Sequence, residues 1–142
     1  MNQEWGEISK NGWIYQNDEA KLIRYFIDIT NKYRNSARAK FELANVYDFL
    51  GQEIKAIPLY EEAIHLGLND EWEAYAFLQL GSSLKNIGNL NDAISVLSTA
   101  EKRFPHLPSI SMFLAITLHY ADMDSEGIED SYESDTTPSK NF

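Results

Sequence analysis

The feature that most constrains the fold is a pattern of small and apolar residues that occurs twice, 37 residues apart. The stretches YDFLGQEIKAIPLYEEA and LKNIGNLNDAISVLSTA align Gly51 with Gly88, and Ala56 with Ala93. On both sides of each glycine the apolar residues recur at helical spacing, and no alternation typical of a strand interrupts them. The sequence therefore predicts an all-α chain built from a repeated pair of antiparallel helices joined at a glycine turn.

The helices of the first part of the chain can be placed from the same spacing. A first amphipathic helix runs to about Tyr33, with Asn17 as its cap, and a second covers residues 37–50. The next would begin near Ile54, which puts Pro58 beyond its first turn, where proline costs about 3 kcal/mol or more. The sequence therefore predicts either a later start, at residues 55–56, or a bend beside Pro58.

The repeated positions resemble the tetratricopeptide repeat, a helix pair of about 34 residues with small residues at the helix crossings. The stretch GQEIKAIPLYEEAI also resembles a small bacterial subfamily of these repeats. The resemblance covers roughly residues 20–121 and implies stacked antiparallel pairs forming a short right-handed superhelix. The second copy, counted from Ala74, matches at Leu80, Gly81, Leu84, Gly88, Ala93, Leu97, Ala100 and Pro105, and the first, from Ala37, at Leu43, Ala44, Tyr47, Gly51, Ala56, Tyr60 and Ala63.

This resemblance divides the chain into three parts. Residues 1–17 are an N-terminal extension, and residues 18–121 are the helical-repeat domain. The domain holds repeats at about 37–70 and 74–107 and a partial third repeat from residue 108. Residues 122–142 are an acidic tail, or a degraded final helix, because Asp122 stands where the third turn glycine is due.

The last predicted helix, residues 108–121, is apolar on nearly every side. A helix of this kind must be covered by other groups. One side packs on the second repeat, and the rest needs the tail, a partner protein or a second protomer. The sequence therefore predicts partner docking or a homodimer at this helix, or the tail folded back over it.

The resemblance also implies a concave groove lined by the first helix of each pair. Such a groove, polar at one end and apolar at the other, would suit an amphipathic helix or an extended peptide. The positions carried over are Arg38, Glu42, Asn45, Asp48, Phe49, Gln79, Ser82, Lys85, Asn86, Met112, Phe113, Ile116, His119 and Tyr120.

Charge and composition exclude several classes of partner. The net charge is −10, of which residues 122–142 carry −6, and no basic stripe is present for a nucleic-acid backbone. No apolar run is long enough to span a membrane, and the start lacks the pattern of a secretory signal. The chain has no cysteine. We expect a cytoplasmic protein with a protein partner.

Two patterns resemble metal sites. DMDSEGIEDSYE imitates a calcium loop, but Glu129 stands where an apolar residue is expected. Glu62 and His65 have the spacing of a di-metal helix, which requires a second such pair that the sequence does not supply. Neither a phosphate-binding loop nor a nucleophile elbow is present.

We therefore expect neither catalysis nor a cofactor. The function that the sequence favours is a non-catalytic protein-interaction module. A structural homo-oligomer is the alternative, and calcium binding or an enzyme is less favoured.

Overall fold

The computed structural model describes the backbone of residues 2–130, which is helical, with no strand in that range. Consecutive helices pack against one another, which confirms the predicted all-α fold. The chain divides into two compact units between Glu73 and Ala74. The helices are α1 (Asn2–Trp13), α2 (Glu19–Lys32), α3 (Ala37–Phe49), α4 (Glu53–Leu66), α5 (Asp70–Asn86), α6 (Leu90–Arg103) and α7 (Pro108–Asp130).

The two aligned glycines form the same turn. Gly51 and Gly88 follow α3 and α5 with φ of +75° and +87°, a left-handed conformation that glycine adopts without strain. After α3, the amide of Gln52 donates to the carbonyl of Tyr47 at 2.8 Å; after α5, Asn89 donates to Leu84 at 2.9 Å. Both are Schellman caps, which satisfy carbonyls left unpaired at a helix end. The predicted turns are confirmed.

Short polar side chains cap the helix starts. Asp18 Oδ1 accepts from the Lys21 amide at the start of α2, so the sequence-based choice of Asn17 is wrong by one residue. Ser36 Oγ accepts a hydrogen bond at the start of α3, and Asn89 Oδ1 accepts one at the start of α6. Because these oxygens pair with amides that have no partner inside the helix, they fix where each helix begins.

Helix α1 was not foreseen from the sequence, which left residues 1–17 as an extension. It packs on α2 at Gly12, where an added Cβ would lie 2.5 Å from the ring of Phe26. Helix α3 begins 35 residues after α1, and α4 begins 34 residues after α2. The α1–α2 pair therefore has the length of one repeat, and its close helix approach depends on a glycine.

The core of the first unit lies between α2, α3 and α4. Leu22, Phe26, Leu43 and Val46 form its centre, and Trp13 packs against them. The rings of Phe41 and Tyr60, both fully buried, meet edge to face at 6.2 Å, which joins α3 to α4.

In the second unit, α5 approaches α6 closely because Gly81 has no side chain. A Cβ at Gly81 would lie 2.6 Å from Cγ of the fully buried Leu97. Helix α7 packs on α6 and buries Ile110, Leu114 and Thr117 on one side. The small residue that the sequence predicted at the crossing of α5 and α6 is Gly81, and its steric reason is the short distance to Leu97.

Helix α7 is longer than the sequence indicated. The expected last helix ended at residue 121, whereas the helix continues to Asp130. The physical reason lies at Asp122, which occupies the position of Gly51 and Gly88 in the other repeats. Without glycine, a left-handed turn is costly there, and the helix does not reverse. Residues 131–142, the rest of the predicted tail, lie outside the described residues.

Pro58 lies inside α4. The helix begins at Glu53, with Gln52 as its N-cap, so the predicted later start at residues 55–56 is wrong. Proline has no amide hydrogen, and the carbonyl of Ile54 therefore receives no helical bond from position 58. A bend at this position stays a prediction.

We expect Pro58→Ala to stabilise the chain. Alanine restores the amide that can donate to Ile54, and Pro58 is exposed, so no packing is lost. The gain is about 1–3 kcal/mol, since proline in a helix interior costs about 3 kcal/mol and its rigidity in the unfolded chain offsets part of this. Urea titration would measure the free energy of unfolding, and a loss of stability would contradict this account.

We expect Gly81→Ala to destabilise the chain by about 1–3 kcal/mol, because the new methyl group overlaps buried Leu97. The control is Gly6→Ala in α1, where an added Cβ meets no atom within 4 Å. That variant gains helix propensity and should be neutral or slightly stabilising. Equal thermal midpoints for the two variants would contradict the steric explanation.

Candidate functional site

Arg38 is the first of the predicted groove residues, and its side chain contacts other residues of the first unit. Its guanidinium carbon lies 4.3 Å from the ring centroid of Trp72 and 5.8 Å from that of Trp5. Its Nε donates to Glu42 Oε2 at 2.7 Å. Arginine stacks well on aromatic faces, and this contact ties α1, α3 and the start of α5 together.

Glu42 is buried, with 4% of its surface exposed. One carboxylate oxygen accepts from Arg38 and the other accepts from Ser9 Oγ at 2.9 Å. A buried carboxylate is tolerated when it is paired in this way. Glu42 therefore holds α1 against α3, a contact that the sequence did not reveal.

Asn45 and Asp48 face α4. The hydroxyl of Tyr60 lies 2.8 Å from Asn45 Oδ1 and 2.9 Å from Asp48 Oδ2. Tyr60 is fully buried, and a buried hydroxyl needs a partner of this kind. Phe49 is exposed, although its ring meets Trp13 edge to face at 5.2 Å. Most of the polar groove positions of this unit thus form internal contacts.

In the second unit, the α5 positions differ in their access to solvent. Gln79 and Ser82 are half-buried and Asn86 is exposed. Lys85 is buried, with 9% of its surface exposed, and its Nζ lies 4.2 Å from the ring centroid of Tyr120. Burial lowers the pKa of Lys85 below its usual 10.5. Lys85 therefore contacts Tyr120 inside the unit and exposes little of its charge to a partner.

The last helix exposes an apolar stripe on the side opposite its buried residues. Met112 is 62% exposed, Ile116 40% and Met123 50%, and His119 is also exposed. These residues follow a spacing of four, three and four, so they share one face of α7. Phe113, at another predicted groove position, is half-buried. We call Met112, Ile116, His119 and Met123 the α7 stripe.

A shallow depression of about 560 Å³ runs along the α7 stripe. Its lining includes Ala115, Ile116, His119, Tyr120 and Met123. The sequence analysis missed Met123, because it ended the helix at residue 121. The signal that could have found it is the continued spacing from Met112.

The candidate metal patterns of the sequence take other roles. Residues 122–130 continue the helix, which is not the loop geometry of a calcium site. Glu62 lies 3.7 Å from the ammonium of Lys40, and His65 is exposed. Within the part of the chain whose side chains are described, no three His, Asp or Glu residues converge as metal ligands would.

The buried ammonium of Lys85 gives a prediction about pH. Because its pKa is lower in the folded chain than in the unfolded chain, the unfolded chain holds this proton to higher pH. The contribution of Lys85 to the free energy of unfolding therefore increases as pH rises toward 10.5 and is smaller at neutral pH. We expect the free energy of unfolding of the native chain to rise relative to that of Lys85→Met over this interval. Urea titrations at several pH values would measure it, and a pH-independent difference would contradict it.

Comparisons with known proteins agree with the geometry. The family described as the tetratrico peptide repeat matches residues 37–135. No curated protein matches the chain. Along the described helices, none has both the length and the apolar character that crossing a bilayer requires. With a match over more than half of its length and consecutive helices packed in pairs, the chain belongs to the tetratricopeptide repeat family.

Proposed function

We propose that this chain is a non-catalytic adaptor that binds a peptide or helix of another protein. The family supports this coarse assignment, since such repeats generally mediate protein interactions. The resemblance to a small bacterial subfamily favours a bacterial, cytoplasmic setting. A net charge of −10 favours a protein partner over nucleic acid.

The single observation that carries the proposal is the α7 stripe. Met112, Ile116 and Met123 expose 62%, 40% and 50% of their surfaces along one helix face. Contiguous apolar surface of this kind is costly to leave in water and marks protein-binding sites. Methionine suits such a surface because its unbranched side chain adapts to the shape of a partner.

The α5 residues of the same unit supply polar groups. Asn86 is exposed, and Gln79 and Ser82 are half-buried. Amide and hydroxyl groups can pair with the backbone of an extended peptide or with polar side chains of a helix. The proposed partner segment therefore has an apolar side for α7 and a polar side for α5.

The polar groove positions of the first unit contribute little to partner binding in this proposal. Arg38, Glu42, Asn45 and Asp48 bond to groups of their own unit. A partner that replaced those bonds would gain little, because the internal ones would be lost. Phe49 is the predicted position there that offers exposed apolar surface.

The test is binding by Ile116→Glu. A peptide library displayed on phage would supply a ligand for the native chain, and calorimetry would give its affinity. We expect Ile116→Glu to weaken that affinity by about tenfold or more, because the contact would desolvate a charge.

The matched control is Ile54→Glu. Ile54 is exposed on α4 of the first unit and is not part of the α7 stripe, so this variant should bind like the native chain. Equal binding by Ile116→Glu and the native chain would contradict the proposed site. Circular dichroism of both variants would establish that each is folded.

A further inference from the structure

A cavity of about 480 Å³ opens in the first unit, where the turn between α1 and α2 lies beside α2. The turn contributes Tyr15 to its lining, and α2 contributes Ala20, Lys21, Arg24, Tyr25 and Asp28. None of these residues belongs to the predicted groove or to the α7 stripe. The cavity is therefore a separate place at which the chain can bind a ligand, and its lining combines charged groups with aromatic rings.

Lys21 and Arg24 place two cations in the lining of this cavity. They are three residues apart in α2, a spacing that puts their side chains next to each other on one helix face. Both are exposed, and among the residues whose side chains are described no carboxylate lies within ion-pair distance of either. By contrast, Arg38 of the same unit is paired with Glu42. Lys21 and Arg24 can therefore pair with an anion that is not part of the chain.

The rings of Tyr15 and Tyr25 form the aromatic part of the lining. Their centroids lie 6.2 Å apart, with the ring planes inclined at 45°. Tyr25 is held in position because its hydroxyl donates to the carbonyl of Ile8 at 2.8 Å, and Tyr15 packs against the core of the unit. Aromatic rings associate favourably with further rings, in stacked or edge-to-face contact. The fixed pair of tyrosines therefore favours a ligand that itself carries a ring.

We propose that this cavity binds a phosphate group carried on an aromatic ring, the chemistry of phosphotyrosine and of small aryl phosphates. Such a phosphate carries about −1.5 to −2 charges at pH 7, which matches two cations better than the single charge of a carboxylate does. The guanidinium fork of Arg24 and the ammonium of Lys21 are both groups that bind phosphate oxygens. This inference goes beyond the proposed function, because it assigns a second ligand to a different part of the chain.

Asp28 limits where the phosphate can lie. It follows Arg24 by four residues and also lines the cavity, so its carboxylate repels an anion placed between the two. The phosphate therefore lies toward Lys21. Asp28→Asn should strengthen phosphate binding by about twofold or more, because the variant removes an exposed like charge. Its control is Glu61→Gln, which removes an exposed carboxylate of α4 outside the cavity lining.

Amide chemical shifts of the whole chain, followed during titration with phenyl phosphate, test the site. We expect saturable shifts within residues 15–28. Phenyl phosphate should bind about threefold to tenfold more tightly than inorganic phosphate, since its ring contacts the two tyrosines. Phenylacetate has the ring but a single charge, and it should bind about tenfold more weakly than phenyl phosphate.

Arg24→Ala should weaken phenyl phosphate binding by about tenfold, because one charge-assisted contact is lost. Arg34→Ala is the matched control. Arg34 is exposed in the same unit but does not line the cavity, so the same substitution there should change the affinity by less than about twofold. Lys21→Ala is a second variant of the site, and circular dichroism would establish that each variant is folded.

Three results would overturn the inference. They are an absence of saturable shifts within residues 15–28, inorganic phosphate binding as tightly as phenyl phosphate, and an equal loss of affinity in Arg24→Ala and Arg34→Ala. The last result would mean that net charge alone attracts the anion. A phosphotyrosine peptide that binds more tightly than phenyl phosphate would identify a peptide as the source of the ligand, and equal binding would identify a free aryl phosphate. The proposed function is judged separately, by the effect of Ile116→Glu on the selected peptide.

Discussion

The close approach of paired helices is the constraint on which the rest of this structure depends. A Cβ added at Gly12 or Gly81 would lie 2.5 Å or 2.6 Å from a neighbouring side-chain atom, well inside van der Waals contact. Removing the side chain there lets Phe26 and Leu97, both fully buried, fill the space between two helices. Each pair is therefore narrow, and its remaining apolar surface must be covered by the next pair.

Residues on the first helix of a pair fall into two classes: those that contact neighbouring helices and those that stay exposed. In the first unit, the polar side chains on α3 are absorbed by neighbours: Glu42 bonds Ser9 of α1, and Asn45 and Asp48 lie at the hydroxyl of Tyr60. In the second unit, the outer side of α7 keeps Met112 and Ile116 exposed. First-helix residues thus form internal contacts in one unit and are exposed in the other.

The sequence predicts most of this fold because its signals are local. Helices α2 to α6 follow from apolar spacing, and Gly51 and Gly88 mark turns that only a left-handed residue completes. Helix α1 could not be placed in this way, because its contacts are long-range: Ser9 reaches Glu42, and Trp5 stacks on Arg38. The roles of Glu42 and Lys85 likewise depend on burial by residues distant in sequence. The α7 stripe was foreseen in part, since Met112 and Ile116 were named and Met123 was not.

Asp122 links the missing turn to the exposed stripe. A glycine at this position would let the chain reverse and return a second helix against α7, as it does after Gly51 and Gly88. Asp122 instead lets α7 continue to Asp130, so the stripe gains Met123 and an acidic end follows directly. One residue thus decides whether the helix ends or continues, and its continuation lengthens the apolar face. The α7 stripe therefore owes part of its length to the residue at position 122.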